Sequence, residues 1–287
     1  MKLLVTGSNG QLGSEIEELS SKYEKIEFIF KDLPELDICD FESLNSLIKN
    51  QKINAVINCA AYTAVDKAEE NIEIANRVNS IGVSNLVEAI DRVNGKFVHI
   101  STDYVFNGNS SEPYKESDHV SPIGCYGKTK RAGELAVINS NIDAIVIRTS
   151  WLYSSFGNNF VKTMLRLGCE KDSLNVISDQ IGTPTYAKDL AKICLDILSV
   201  PNRSSKKGKL YHYSNEGVTS WYDFAVTIME LAGLNCKVKS VLTKDYSNTA
   251  KRPHYSVLNK TKIKEDFKIV IPHWKDSLKE CISKLKQ

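Results

Sequence analysis

The chain has 287 residues, of which 42% are apolar and 25% charged, with a formal charge of +2. That length suffices for one large domain or two smaller ones with a sizeable core. The composition excludes large-scale disorder, and the near-neutral charge gives no electrostatic case for nucleic acid or a membrane surface.

Residues Lys2–Thr6 form a short apolar run closed by glycine, which suits a buried parallel strand. Helix-forming residues 11–19 follow, then a strand over 26–30 and a helix over 41–50. Residues 53–59 (INAVINC) read as a third strand and 73–92 as a long helix. A fourth strand over 96–101 and a fifth over 144–148 flank the helical segment CYGKTK. Strands alternating with helices imply right-handed βαβ units and an α/β fold with a doubly wound parallel sheet.

After residue 150 the alternation loosens. Residues 159–167 and 188–198 look helical, 173–177 strand-like, and 220–232 helical. PNRSSKKGK (201–209) reads as a basic surface loop, and 245–258 as mostly irregular. We expect residues 1–150 to form the cofactor domain, with about 173–215 returning to it. Residues 151–172 and 216–287 should mainly form a smaller lobe.

Seven cysteines, an odd number without CxxC pairs, read as reduced thiols, and no metal is expected. The chain opens MKLLVTG, directly on a strand, and no apolar run approaches the roughly 20 residues of a spanning helix. A cytoplasmic setting is expected.

Between the first strand and first helix, TGSNGQLGSEI places Gly7, Gly10 and Gly13. Such a turn lets a pyrophosphate approach the backbone beside free helix N–H donors. Asp32, after the second strand, is placed to accept from the adenosine ribose hydroxyls, which favours NAD. Neighbouring Lys31 favours a ribose phosphate, so NADP stays open; a local cap is the other reading of Asp32. Asp37 stands where an adenine amino group is read, or caps the next helix. Ala60 and Ala61 leave room for a cofactor beyond the third strand. Thr102 ends the fourth strand with a hydroxyl able to stabilise a developing alkoxide. Tyr126 and Lys130, four residues apart, share one helical face, where the ammonium is expected to lower the phenol's pKa. Trp151 offers a sugar an apolar face or packs between domains. Arg252 meets a nucleotide diphosphate or a surface acid.

Together these residues resemble the extended short-chain dehydrogenase/reductases acting on nucleotide sugars. GSNGQLG, NCAAYTAVDKAE, STDYVFNG, SPIGCYGKTKRAGE, RTSWLY and SDQIGTPTYAKDLA look like the pattern of the dTDP-4-dehydrorhamnose reductases, from residue 1 to about 200. The resemblance implies a Rossmann-type domain, reduced NADP or NAD as hydride donor, and a dTDP-4-keto-deoxysugar substrate. It assigns catalysis to Thr102, Tyr126 and Lys130. Gly7, Gly10, Gln11, Leu12, Asp32, Asp37, Ala60, Ala61, Tyr126 and Lys130 fall to the cofactor. Thr63, Val65, Asp103, Tyr104 and Trp151 fall near the sugar. It also implies a homodimer as one arrangement. Some relatives hold a metal at positions matching Glu15 and Asp189, which read here as solvated surface acids. One departure is visible: Gly124, followed by Cys125, replaces the family's usual Asn two residues before the tyrosine. Rival readings are a reductase of another deoxysugar nucleotide, an epimerase retaining its NAD, and a regulatory subunit of the methionine adenosyltransferase β type.

Overall fold

A computed structural model describes residues 1–200, 208–246 and 250–286. The basic loop expected over 201–209 therefore lies mostly outside the described residues, as do 247–249 of the irregular stretch. The first half runs β1 (Lys2–Thr6), α1 (Gln11–Leu19), β2 (Glu27–Lys31), α2 (Phe41–Asn50), β3 (Ala55–Asn58) and a short helix, Val65–Glu70. The long helix expected next runs without a gap over 72–91, as Ile72–Asn76, a π-helical turn over Arg77–Ile81, and α3 (Gly82–Asp91). Then come β4 (Lys96–Thr102), α4 (Cys125–Ile138) and β5 (Asp143–Thr149). The second half adds α5 (Phe160–Glu170), β6 (Ser173–Ile177), α6 (Ala187–Ser199), β7 (Lys209–His212), α7 (Trp221–Ala232), β8 (Lys237–Val241) and α8 (Trp274–Leu285).

The main sheet has the order β7-β5-β4-β3-β1-β2 and every pairing is parallel. Alternation along the strands sends side chains to opposite faces, and both faces are covered. Leu3, Val5 and Ile57 pack with Leu12 and Ile16 of α1 and Leu190 and Cys194 of α6. Leu4 and Val56 pack with Leu44 and Ile48 of α2 and Leu86 and Ile90 of α3. Strand order reverses between β1 and β3, opening a crevice at their carboxyl ends.

One segment departs from the expected division. β6, expected to return to the first sheet, pairs with β8 instead. Its Leu174 and Val176 bury in a separate cluster with Val161, Phe224, Ile228 and Trp274. The main sheet gains β7 beside β5, so the place β6 would occupy belongs to a later strand.

Candidate active site

The crevice is a cleft of about 540 Å³ between the glycine turn and the second lobe. It continues over Gly7, Gly10 and Ala61 into a recess of about 350 Å³ that also touches Asp32, Asp37 and Ala60. Gly7 has φ +64°, and a Cβ there would stand 2.5 Å from the Ala60 nitrogen. A Cβ on Gly13 would meet Ser8 Cα at 2.5 Å, so the turn lies flat against its neighbours. Gly10 caps α1 without a side chain, leaving the first-turn N–H groups beside Gln11 and Leu12 to the cleft. That backbone cradle fits a dinucleotide's pyrophosphate.

At the recess, Asp32 accepts from the Asn9 N–H at 2.9 Å and from the Leu33 N–H at 2.8 Å. The local cap considered from sequence is thus present, and the carboxylate holds the glycine turn while its remaining lone pairs face the recess. Lys31 is tied to Glu35. Asp37 accepts from the Cys39 N–H and from Arg77 at 3.0 Å.

Deeper in the cleft, β4 delivers Ser101, Thr102 and Asp103 while α4 delivers Tyr126 and Lys130. The Thr102 hydroxyl donates to Asp103 Oδ1 at 3.0 Å, accepts from the Tyr104 N–H, and lines the cleft with the Tyr126 phenol. Tyr104 meets Tyr126 edge-on, 5.5 Å between ring centroids. Burial drives the Tyr126 pKa up, against the lowering influence of the neighbouring Thr102 hydroxyl. This corrects the expectation that Lys130 lowers it. The Lys130 ammonium donates to the Ile100 carbonyl at 2.6 Å, and burial pushes its own pKa down to about 8 against the Glu134 charge. Desolvation of the phenol outweighs a cation whose hydrogen bond points elsewhere. Asp103, 1% exposed, is pushed up to about 6 by burial, and its Oδ1 accepts from the Thr102 hydroxyl.

Behind α4, Glu134 accepts from Arg148 of β5 through both oxygens, a fully buried pair. It anchors the helix to the sheet one turn beyond Lys130.

On the wall facing the second lobe, Thr63 and Val65 line the cleft with Trp151. Trp151 sits at φ +48° and stacks on Trp221, 3.7 Å between centroids and 10° between planes. A Cβ on Gly182 would touch the indole at 2.7 Å, so three segments hold one ring. The strained backbone at Trp151 persists because its surroundings fix it. Arg252 is absent from the residues lining the cleft. It donates to Asp66 at 2.6 Å, so the ion pair considered from sequence is present and holds the first turn of the short helix Val65–Glu70.

Sequence reasoning missed several residues. Trp221 enters only through its stack on Trp151. Asn58 accepts from the Thr6 hydroxyl at 2.7 Å and from the Ala60 N–H at 3.1 Å, fixing the exit of β3; a polar residue ending an apolar strand was the available signal. Asn79, fully buried in the π-helical turn, bonds both Tyr62 backbone groups and the Thr129 hydroxyl. Asn159 donates to Gln11 Oε1 at 3.0 Å, joining the lobes across the cleft.

Glu15 and Asp189 are not solvated acids. Glu15 is fully buried and accepts from Ser154, while Asp189 accepts from Asn215 and Ser277. Among the described residues no group of three or more His, Cys, Asp or Glu side chains is arranged to hold a metal, and no helix is long and apolar enough to cross a membrane.

A sequence model of the RmlD substrate binding domain matches residues 1–287. The chain is 42% identical over 283 residues to the spore coat polysaccharide biosynthesis protein SpsK of Bacillus subtilis strain 168, covering 98% of this chain and 96% of that one. It is 42% identical over 286 residues to the dTDP-4-dehydrorhamnose reductase of Aggregatibacter actinomycetemcomitans, covering 97% of each. The crystal structure of dTDP-4-dehydrorhamnose reductase from Bacillus anthracis strain Ames, in complex with NADP, matches with a TM-score of 0.93 at 36% identity, covering 99% of both chains. With its whole length matched in sequence and in fold, this chain belongs to the dTDP-4-dehydrorhamnose reductase (RmlD) family.

Proposed function

We propose that the chain reduces the 4-keto group of dTDP-4-dehydro-L-rhamnose to give dTDP-L-rhamnose, using NADPH or NADH. The observation that carries this reading is the meeting of Thr102, Tyr126 and Lys130 in one cleft, between the glycine cradle and the Trp151–Trp221 stack. When bound, the reduced nicotinamide supplies the hydride that carbon 4 accepts.

The chain's own residues supply the proton and the geometry. As the carbonyl oxygen gains charge, Tyr126 gives it the phenolic proton. The raised pKa serves that direction, because it keeps the phenol protonated at neutral pH. Thr102, bonded to Asp103, supplies a hydroxyl beside the phenol and the forming alkoxide. Lys130, held at the Ile100 carbonyl, would donate to the nicotinamide ribose. The Trp151–Trp221 stack gives the sugar an apolar wall. The free thiols support a cytoplasmic setting.

A second reading has one specific observation behind it: identity to SpsK equals that to the Aggregatibacter reductase. The same chemistry would then act on another dTDP-4-keto-deoxysugar for a surface polysaccharide. A panel of 4-keto sugar nucleotides, each with NADPH and NADH and followed spectroscopically, separates the two. The first reading expects dTDP-4-dehydrorhamnose to give the highest kcat/KM. Turnover with none of the panel would overturn the enzymatic reading and favour a cofactor-binding regulatory subunit.

A further inference from the structure

The helix that carries Tyr126 and Lys130 begins without a cap of its own. Gly124 stands at the N-cap with extended backbone, φ −127° and ψ 168°, and has no side chain to accept from the first turn. A carboxylate from another element takes the place. Glu69 Oε1 accepts from the Cys125 N–H at 2.9 Å, across 56 positions of sequence.

Gly124 is what makes room. A Cβ there would stand 2.8 Å from that Glu69 oxygen, whereas the next nearest atom outside Glu69, the Lys251 carbonyl oxygen, is 3.8 Å away. The glycine's backbone is one any residue adopts, so space rather than conformation explains its use here. Glu69 closes the short helix Val65–Glu70, whose first residue lines the cleft. Asp66 of that helix accepts from the Ala250 N–H at 3.0 Å and from Arg252 at 2.6 Å. One and a half turns thus tie the sugar-side loop to the residue directly before Tyr126.

We infer that Glu69 is a positioning residue for Tyr126: its carboxylate, in the space left by Gly124, fixes the first turn of α4 and with it the phenol's place in the cleft. The inference rests on the reading of Tyr126 as the proton donor. A helix N-terminus without a cap frays in its first turn, and a negative charge there also meets the positive end of the helix dipole. Tyr126 is the second residue of that turn, so fraying displaces the reacting hydroxyl itself, to which rate is steeply sensitive.

The test compares Glu69→Ala, Glu69→Gln, Gly124→Asn and the double variant Glu69→Ala/Gly124→Asn, by steady-state kinetics and by amide hydrogen exchange over residues 125–128. Glu69→Ala should lower kcat about tenfold and leave both KM values within about twofold, while exchange in the first turn of α4 quickens. Glu69→Gln keeps an acceptor and should hold kcat within about threefold of wild type. Asparagine at 124 displaces the Glu69 carboxylate but brings its own capping oxygen, so Gly124→Asn should stay within about threefold, and the double variant should recover both kcat and slow exchange. A wild-type kcat in Glu69→Ala overturns the inference, as does a loss that the double variant does not restore. Should Glu69→Ala fail to fold, a folded double variant with near wild-type kcat supports the inference, and a folded slow one overturns it. The exchange readout does not need turnover. An inactive wild-type protein would defeat the functional reading while the exchange pattern still decides whether Glu69 caps the helix.

Discussion

The two ends of the cleft are built by different means. At the cofactor end, Gly7, Gly10, Gln11 and Leu12 lie within one strand–turn–helix unit, and their placement follows from backbone conformation and close approach. At the end proposed for the sugar, Trp151 depends on Trp221 and Gly182, and the short helix Val65–Glu70 depends on Arg252. Backbone placed by local sequence makes a rigid cradle. Side chains placed by distant partners make a surface that substitution can reshape without disturbing the fold, which is where a family would vary its substrate.

That contrast predicts separable damage. Gly7→Ala should do most harm, since φ +64° and a 2.5 Å approach to the Ala60 backbone leave a methyl nowhere to go. We expect a stability loss of about 2–4 kcal/mol by thermal melting, and a cofactor Kd raised at least about tenfold. A cofactor Kd unchanged in a folded Gly7→Ala protein would break the comparison from the cradle side. Trp221→Ala should come next, raising the sugar-nucleotide KM by roughly tenfold while the cofactor Kd stays within about twofold. Equal losses for both ligands would show that the stack serves the whole cleft.

A pH profile of kcat/KM sharpens the account of Lys130. The group is charged below its pKa of about 8, so its ammonium is in place at neutral pH and is lost as pH rises. Activity should therefore fall as pH rises through about 8, with the buried phenol still protonated there. A profile flat to pH 9 would count against the ammonium's role. The smallest effect belongs to Lys31→Ala. Its pair with Glu35 spans the turn after β2 and is largely open to solvent, worth about 0.5 kcal/mol or less. The NADPH to NADH preference should then move by less than about threefold; a larger shift would mean that Lys31 leaves Glu35 to meet a ribose phosphate.

Legibility in the sequence follows the same division. β1, α1 and α2 have the bounds their apolar periodicity predicts, because each is decided by neighbours a few residues away. The spacing of Tyr126 and Lys130 placed both on α4 for the same reason. The pairing of β6 with β8 was not readable, since about sixty residues separate the strands and both are too short to announce a partner. The π-helical turn around Asn79 was hidden too, because helical composition does not register one extra residue per turn. Glu15 misled for a related reason: an acid on a short amphipathic helix reads as solvated until a second lobe covers it. Gly124 and Cys125 did stand out in the sequence, but only the fold shows Glu69 beside them.

The central claim is that this cleft passes a hydride to carbon 4 of a dTDP-linked 4-keto sugar while Tyr126 supplies the proton. The most direct measurement uses cofactor deuterated at the nicotinamide C4 position and dTDP-4-dehydrorhamnose, with the product read by NMR. We predict one deuterium at carbon 4 of dTDP-L-rhamnose from the wild-type protein, and from Tyr126→Phe a rate reduced by about 10²–10⁴-fold. Product without deuterium at carbon 4, or transfer at an undiminished rate in Tyr126→Phe, would contradict it.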